Sequence, residues 1–396
     1  MKNFFHKAIN AHTMVHIFWV LLFVFFIAFP ITGLFSTPDP SYIARVEKRL
    51  PATFPATFFK KEFFKQFEMW YSDHYPYKYE LVRFFSKNYA ELAGVSIRPH
   101  DVVLGKEEWL FLGNRFNQIM SRYRGQQIPS AEQVAAAEAR YGKLHHDAKS
   151  RNVPIVIAVA PDKQRIASEF LPQWVLPGSD GPGIVAVIRE LAQSGINLLW
   201  LLPAVEEAKN HLHPLPVAFE YDSHWNGASG FFAFKTIMAE LDAQMDGLFI
   251  PDANDYVFRS RAGESDLTKI LMLPEVPSTD VYAVPLRFDL PEHVIRTEFH
   301  ADGHSTEEAS PLTPKHLRGA SSPRLTFNHE APMRERALLI TDSFGTALEP
   351  YFIQHFHETV RVSTAELLER GGSIQALCYR FAPSFLVFVV TERNSW

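Results

Sequence analysis

Hydrophobic positions fall into three regimes along this chain. From Met14 to Phe35, 22 consecutive residues include no Lys, Arg, Asp or Glu. A helix of that length crosses a bilayer. His16 lies near its start, where it can stay at the interface, and Pro30 predicts a kink near its end. Next comes a stretch with helical spacing: Phe59, Phe63, Phe67 and Trp70, then, after Pro76, a second stripe of Leu81, Val82, Phe85, Tyr89 and Leu92. From Val102 onward short apolar runs alternate with amphipathic ones. Val102–Leu112 reads as a strand, a turn and a strand. A helix is predicted over Ser130–Ser150, opened by the capping-box spacing of Ser130 and Gln133. The fully apolar run Pro154–Ala160 has the character of a central parallel strand.

The alternation continues with a helix over Gly183–Gln193, a strand over Ile196–Leu202, and helices near Pro203–His211 and Ala228–Leu241. It resumes with strands at Ala337–Thr341, Val360–Ser363 and Phe385–Val390, and helices near Pro350–His357 and Ala365–Tyr379. Strands alternating with helices imply a parallel sheet covered on both faces, an α/β fold. Residues 250–330 break the rhythm with many Pro and charged residues and short β-like runs such as Val281–Val284, so they read as a partly β insertion. The resulting layout is a tip and anchor over 1–36, a Pro/Ser/Thr-rich linker over 37–57, and one α/β domain over 58–396 that contains the insertion.

Lys2 and Lys7 precede the first apolar run, which puts the N-terminus on the cytoplasmic side and the rest of the chain outside or in a periplasm. A cleaved signal peptide is the competing reading. It fits less well, because the run exceeds a signal core and no clear small-x-small site follows. The aromatic helix after the linker, with Lys60, Lys61 and Lys65 between its rings, fits either a helix packed on the main domain or one lying on a membrane. Composition adds three limits. With 47% hydrophobic residues and 34 Phe in 396 residues, a large core is available. A net charge of −5 without a Lys/Arg-rich block argues against nucleic acid as a partner. The single cysteine, Cys378, excludes an internal disulfide.

Candidate chemistry gathers in two segments. Leu338–Thr341 is a buried-strand pattern that runs through Asp342 into a tight turn at Ser343, Phe344 and Gly345. Ser343 is the candidate nucleophile. Backbone N–H groups of Ser343, Phe344 or Gly345 are candidates to hold an oxyanion, with Gly345 allowing close backbone approach or positive φ. Tyr221-Asp222-Ser223-His224-Trp225 offers a base, His224, and a carboxylate two residues away, Asp222, which point to the same side of an extended segment. Serine, histidine and aspartate form the minimum set for acyl transfer through a serine ester. Asn226 is placed to cap the helix that follows. Asp162 and Lys163, and also Glu392 and Arg393, fall just past strand ends, on the rim where open parallel sheets bind ligands. Lys163, Glu392 and Arg393 are therefore candidate substrate contacts, or equally structural ion pairs on that rim. His211 and His213 with Asp222 and His224 offer a rival zinc site. No cofactor motif is present.

These residues resemble the AlgJ/AlgX family of polysaccharide O-acetylation proteins, whose members carry an SGNH-hydrolase-like domain. The resemblance rests on Gly105-Lys106-Glu107-Glu108-Trp109-Leu110-Phe111, Ala160-Pro161-Asp162-Lys163, Asp222-Ser223-His224-Trp225, Asp342-Ser343-Phe344-Gly345 and Glu392-Arg393. As in that family, the Asp/His pair precedes the serine, the reverse of ordinary SGNH hydrolases. The resemblance implies a Ser343–His224–Asp222 triad that acetylates an exopolysaccharide such as alginate outside the bacterial inner membrane. Trp225 is an implied substrate contact. A membrane-bound O-acyltransferase would be the partner that delivers acetyl. The Met14–Phe35 anchor is similar to that of AlgJ, and no carbohydrate-binding module is expected after the domain, unlike AlgX. An esterase with the same triad and a non-catalytic polysaccharide-binding scaffold are the alternatives.

Overall fold

The computed structural model describes residues 11–35, 37, 40, 43, 49–56, 62–178, 183–263, 265–273, 276–290, 292–299, 305–311, 323–368 and 373–396. Lys2, Lys7, Phe59, Lys60, Lys61 and much of the 37–57 linker lie outside the described residues, as do parts of 250–330. The chain divides into two compact units, Met1–Ala93 with Lys269–Pro274, and Gly94–Thr268 with Glu275–Trp396.

In the first unit an apolar helix, Ala11–Ile31, runs into a short 3-10 turn, Thr32–Phe35. Thr13–Phe35, 23 residues, is long and apolar enough to cross a membrane. Two amphipathic helices follow, Phe63–His74 and Lys78–Ala93. The first keeps its rings in a row: Phe63, Phe67 and Tyr71 stack at successive turns, 5.9 and 6.0 Å between centroids.

Among the described residues the second unit holds twelve strands. In chain order these are β1 Val102–Leu104, β2 Leu110–Leu112, β3 Ile155–Ala160, β4 Leu198–Trp200, β5 Tyr256–Ala262, β6 Thr279–Pro285, β7 His293–Phe299, β8 Ser305–Pro311, β9 Arg324–Phe327, β10 Met333–Thr341, β11 Phe356–Ser363 and β12 Phe385–Thr391. Eight of them form one sheet in the order β4-β3-β12-β10-β11-β9-β7-β8. The run from β4 to β11 is parallel, as the alternating pattern requires. Beyond β11 the sheet turns antiparallel: β9 pairs with β11, β7 with β9, and β8 with β7. The wholly parallel sheet is thus corrected to a mixed one, and strands from the 250–330 segment cover an edge that β11 would otherwise leave open. β5 and β6 pair separately.

β3, β10 and β12 are apolar on both faces because both faces are covered. On one face Tyr141, Leu144, Ile184 and Val187 pack against Ile157, Val159, Leu338, Ile340, Leu386 and Phe388. On the other, Phe234 of the helix Gly227–Met245 meets Phe352 at 4.8 Å, and Phe352 meets Phe385. The helix Ala131–Lys149 opens with the expected reciprocal capping box of Ser130 and Gln133. The single helix expected over Ala365–Tyr379 is two, Thr364–Leu368 and Ile374–Phe381, the second capped by Ser373.

Candidate functional site

Parallel neighbours end on the same rim. β3, β12 and β10 lie side by side, so Asp162, Glu392 and Ser343, each just past a carboxyl end, are brought to one edge of the sheet. Ser343 begins a short 3-10 turn, Ser343–Thr346. Asp342 fixes that turn with both carboxylate oxygens. One accepts Phe344 N–H at 3.0 Å, and the other accepts the Thr391 N–H and hydroxyl at 2.8 and 2.7 Å. The turn doubles back over its own strand, and a Cβ on Gly345 would lie 2.2 Å from Thr341 Oγ1. Close approach, rather than positive φ, is why a glycine stands there.

The segment 217–226 closes on itself. Ala218 bridges to Trp225, and Phe219 N–H donates to His224 O. Asn226 accepts from Ala228 and Ser229 N–H, capping the helix Gly227–Met245 as expected. This closure presents His224 to the serine. His224 Nε2 lies 2.8 Å from Ser343 Oγ, and Nδ1 lies 2.6 Å from Asp222 Oδ1. Burial is graded along the chain of bonds: Ser343 is exposed, His224 half-buried, and Asp222 0% exposed. Asp222 Oδ1 also accepts His224 N–H, and Oδ2 accepts Asp266 N–H at 3.1 Å.

Asp266 was not singled out in the sequence. Its carboxylate accepts the Ser223 N–H and hydroxyl at 2.7 and 2.6 Å and lies 3.9 Å from His224 Nδ1. Desolvation, and then the charge of Asp222, raise its pKa. It lies 44 residues beyond Asp222 in a charged, Pro-rich stretch, and no local pattern marked it. Asp222, His224 and Asp266 place ligand-type atoms within 4.8 Å of one another. The four-residue zinc set is not assembled: the His211 ring packs on Phe232 and Phe258, and neither His211 nor His213 joins this group among the described residues.

The four residues offered as substrate contacts have their polar groups engaged within the fold, and for Glu392 and Arg393 the structural alternative, ion pairs on the rim, is what the structure shows. Lys163 is 1% exposed, and its ammonium donates to three backbone carbonyls, Leu110 at 2.6 Å and Glu220 and Asp222 at 2.9 Å. It ties β2 and the 217–226 loop to the end of β3. Burial pulls its pKa down to about 7, against the charges of Asp222, Asp266 and Glu220. Trp225 is 1% exposed and donates its indole N–H to Phe344 O at 2.9 Å, joining the histidine segment to the serine turn from within the core. Glu392 is buried and accepts from Arg165 at 2.7 and 2.8 Å. Desolvation pushes its pKa up to about 7, with Asp162 adding and Arg165 opposing. Arg393 pairs with Asp162, and its guanidinium lies over the Phe344 ring at 5.2 Å. The rim charges are paired with one another.

Two of the three expected oxyanion donors are already engaged. Phe344 N–H donates to the Asp342 side chain and Gly345 N–H to Asp342 O at 3.2 Å. An aspartate at the cap of a turn takes the nearest donors for itself. Ser343 N–H has no partner among the described residues and remains for that task.

A parallel-core α/β sheet with an exposed serine at one carboxyl end, a histidine behind it and a buried carboxylate behind that defines an SGNH hydrolase-like domain. Residues 102–286, a little under half of the chain, match the family described as "SGNH hydrolase-like domain, acetyltransferase AlgX". The match includes Lys163, Asp222, His224 and Asp266 and ends before Ser343. No curated protein matches the chain. Among solved structures, Bacillus cereus PatB1 with a sulfonyl adduct is similar at 15% identity and a TM-score of 0.53, covering 74% of this chain and 95% of that one. The O-acetyltransferase domain of Pseudomonas putida AlgJ is similar at 18% identity and a TM-score of 0.43, covering 74% and 91%. Pseudomonas aeruginosa AlgX gives 14%, 0.40, 73% and 61%. At 15% identity the likeness to PatB1 is one of fold.

Proposed function

We propose that this protein is a membrane-anchored, periplasm-facing O-acetyltransferase that acetylates an exopolysaccharide through an acyl-enzyme on Ser343. The observation that carries this reading is the unbroken bonded path from an exposed hydroxyl to a buried carboxylate, Ser343 Oγ to His224 to Asp222, at 2.8 and 2.6 Å. Ser343 Oγ attacks the acetyl carbonyl of the donor while His224 Nε2 takes its proton. Ser343 N–H stabilises the tetrahedral oxyanion. Collapse expels the donor's leaving group, which takes the proton from His224. A sugar hydroxyl then gives its proton to His224 and attacks the acetyl-serine, and Ser343 recovers the proton as the acetylated sugar leaves. Asp222 holds the imidazole in the tautomer that accepts at Nε2 and offsets its transient positive charge.

The span Thr13–Phe35 would anchor the chain, with a membrane-bound O-acyltransferase supplying acetyl on the outer side. Hydrolysis is the second reading, favoured by one observation: the Ser343 hydroxyl is exposed, so water reaches it as a sugar would. PatB1 has been solved with a sulfonyl adduct, which suggests the test. The full chain in detergent is treated with a small sulfonyl fluoride and its intact mass measured. One adduct, lost in both Ser343→Ala and His224→Ala, is expected. No adduct on the folded protein would overturn the enzymatic reading in favour of the scaffold. Acetylated oligosaccharide formed from a small acetyl ester separates transfer from hydrolysis.

A further inference from the structure

The helix Lys78–Ala93 is inside out for a helix in water. Tyr77, just before it, and Phe84, Phe85 and Tyr89 on it are 67%, 60%, 61% and 50% exposed, whereas Ser86 is 3% exposed. At 3.6 residues per turn Phe84, Phe85 and Tyr89 form one arc, with Leu81 and Asn88 inside it and Ser86 outside it, and Tyr77, at φ 51°, leads into it from just before the helix. An aromatic arc with a buried serine behind it implies that something other than water covers it.

Its occupant follows from where the arc begins. The Tyr77 ring stacks on Phe29 at 6.2 Å and 14°, and Phe29 also meets Tyr75 at 6.2 Å. Tyr71 Oη donates to Pro30 O at 2.5 Å. Gly33 lets the turn pass so close that a Cβ there would lie 2.9 Å from His74 O. Phe29, Pro30 and Gly33 are the last turns of the apolar span. The segment 71–77 is therefore pinned where the span leaves hydrocarbon, and the arc starts at that level. Lys87, exposed, borders it, and Arg83, also exposed, lies on the far side of the helix. Tyr and Phe rings beside basic side chains suit the boundary between acyl chains and phospholipid headgroups.

We propose that the helix Lys78–Ala93 lies on the phospholipid surface with this aromatic arc at the acyl–headgroup boundary, a second membrane attachment beside the span. This rests on the span being a retained anchor, and the experiment separates the two. The full chain, with Cys378→Ser so that one cysteine is labelled, is placed in nanodiscs of phosphatidylethanolamine and phosphatidylglycerol. An environment-sensitive fluorophore goes on Asn88→Cys or Leu81→Cys, which leave the aromatics in place. Lipids carrying a nitroxide near the headgroup should quench both by about twofold or more, as expected for a probe at interfacial depth. Phe84→Ser with Phe85→Ser should abolish quenching at Asn88→Cys. No quenching at positions 81 and 88, while Val20→Cys in the span is quenched by a deep nitroxide, overturns the inference and leaves the anchor standing. No quenching at Val20→Cys overturns both.

Discussion

Among single residues, Asp222 and Asp266 are two carboxylates with different tasks. Asp222 touches Nδ1 directly, whereas Asp266 reaches it only across 3.9 Å and spends its oxygens on Ser223. In a steady-state transfer assay Asp222→Asn is expected to lower kcat by roughly 10⁴-fold, through loss of the correct tautomer. Asp266→Asn keeps an acceptor for Ser223 and is expected to cost about tenfold or less, since it removes a charge that polarises the ring from a distance. Lys163 makes a further prediction. Lys163→Met removes three hydrogen bonds to backbone carbonyls, each worth about 1 kcal/mol, so unfolding free energy should fall by roughly 3 kcal/mol in denaturant titrations. Sulfonyl labelling of Ser343 should slow with it, because the loop bearing His224 loses its tie. Ser343, His224 and Asp222 could be proposed from sequence because a strand-end serine and an Asp-x-His pair are local spacings, and the fold sets them within bonding distance. Sequence left Lys163 open between substrate and structure and could not place Trp225, because their partners, three carbonyls and the Phe344 oxygen, are supplied by folding.

Elements come together here at positions with no side chain to spare. The helix Gly227–Met245 follows His224 directly, and the turn after Ser343 runs against it at Gly230, where a Cβ would sit 2.2 Å from Ala347 O. Gly230→Ala must push the two segments apart. We expect kcat to fall by at least ~10-fold with the triad residues unchanged, since near-attack geometry tolerates little displacement; an unchanged kcat would refute this role for Gly230. The apolar runs that became β3, β10 and β12 were legible because strands buried on both faces have no polar alternation to confuse. β7 and β8 were not. Their residues include Arg296, Glu298, Glu307 and Glu308, and only pairing with β9 and with each other makes them part of the sheet. The break in the helix expected over Ala365–Tyr379 was legible and overlooked, for Gly371-Gly372-Ser373 is a stop followed by a cap.

For the molecule as a whole, pH dependence of stability follows from a buried histidine that takes no part in the Ser343–His224 contact. His355 Nδ1 donates to Tyr351 O at 2.6 Å, and Nε2 accepts from Tyr256 Oη at 2.6 Å, an arrangement that only neutral imidazole provides. Burial holds its pKa at about 4, below the ordinary 6.5. The unfolded chain therefore takes the proton first, and stability present above pH 6.5 is lost as pH falls toward 4. Between pH 7 and pH 5 this group should cost about 2 kcal/mol of unfolding free energy, a loss that His355→Gln should remove when the same titrations are repeated.

The exposure of Ser343 has a kinetic meaning as well. An acetyl group on a serine at the open rim is offered to every hydroxyl that diffuses by, so its fate is a race rather than a sorting by shape. The split between acetylated sugar and free acetate should then rise in proportion to acceptor concentration and extrapolate to acetate alone at zero acceptor. The anchoring proposed above would tilt that race wherever acceptors crowd around the serine, so selectivity would reside in where the protein is held.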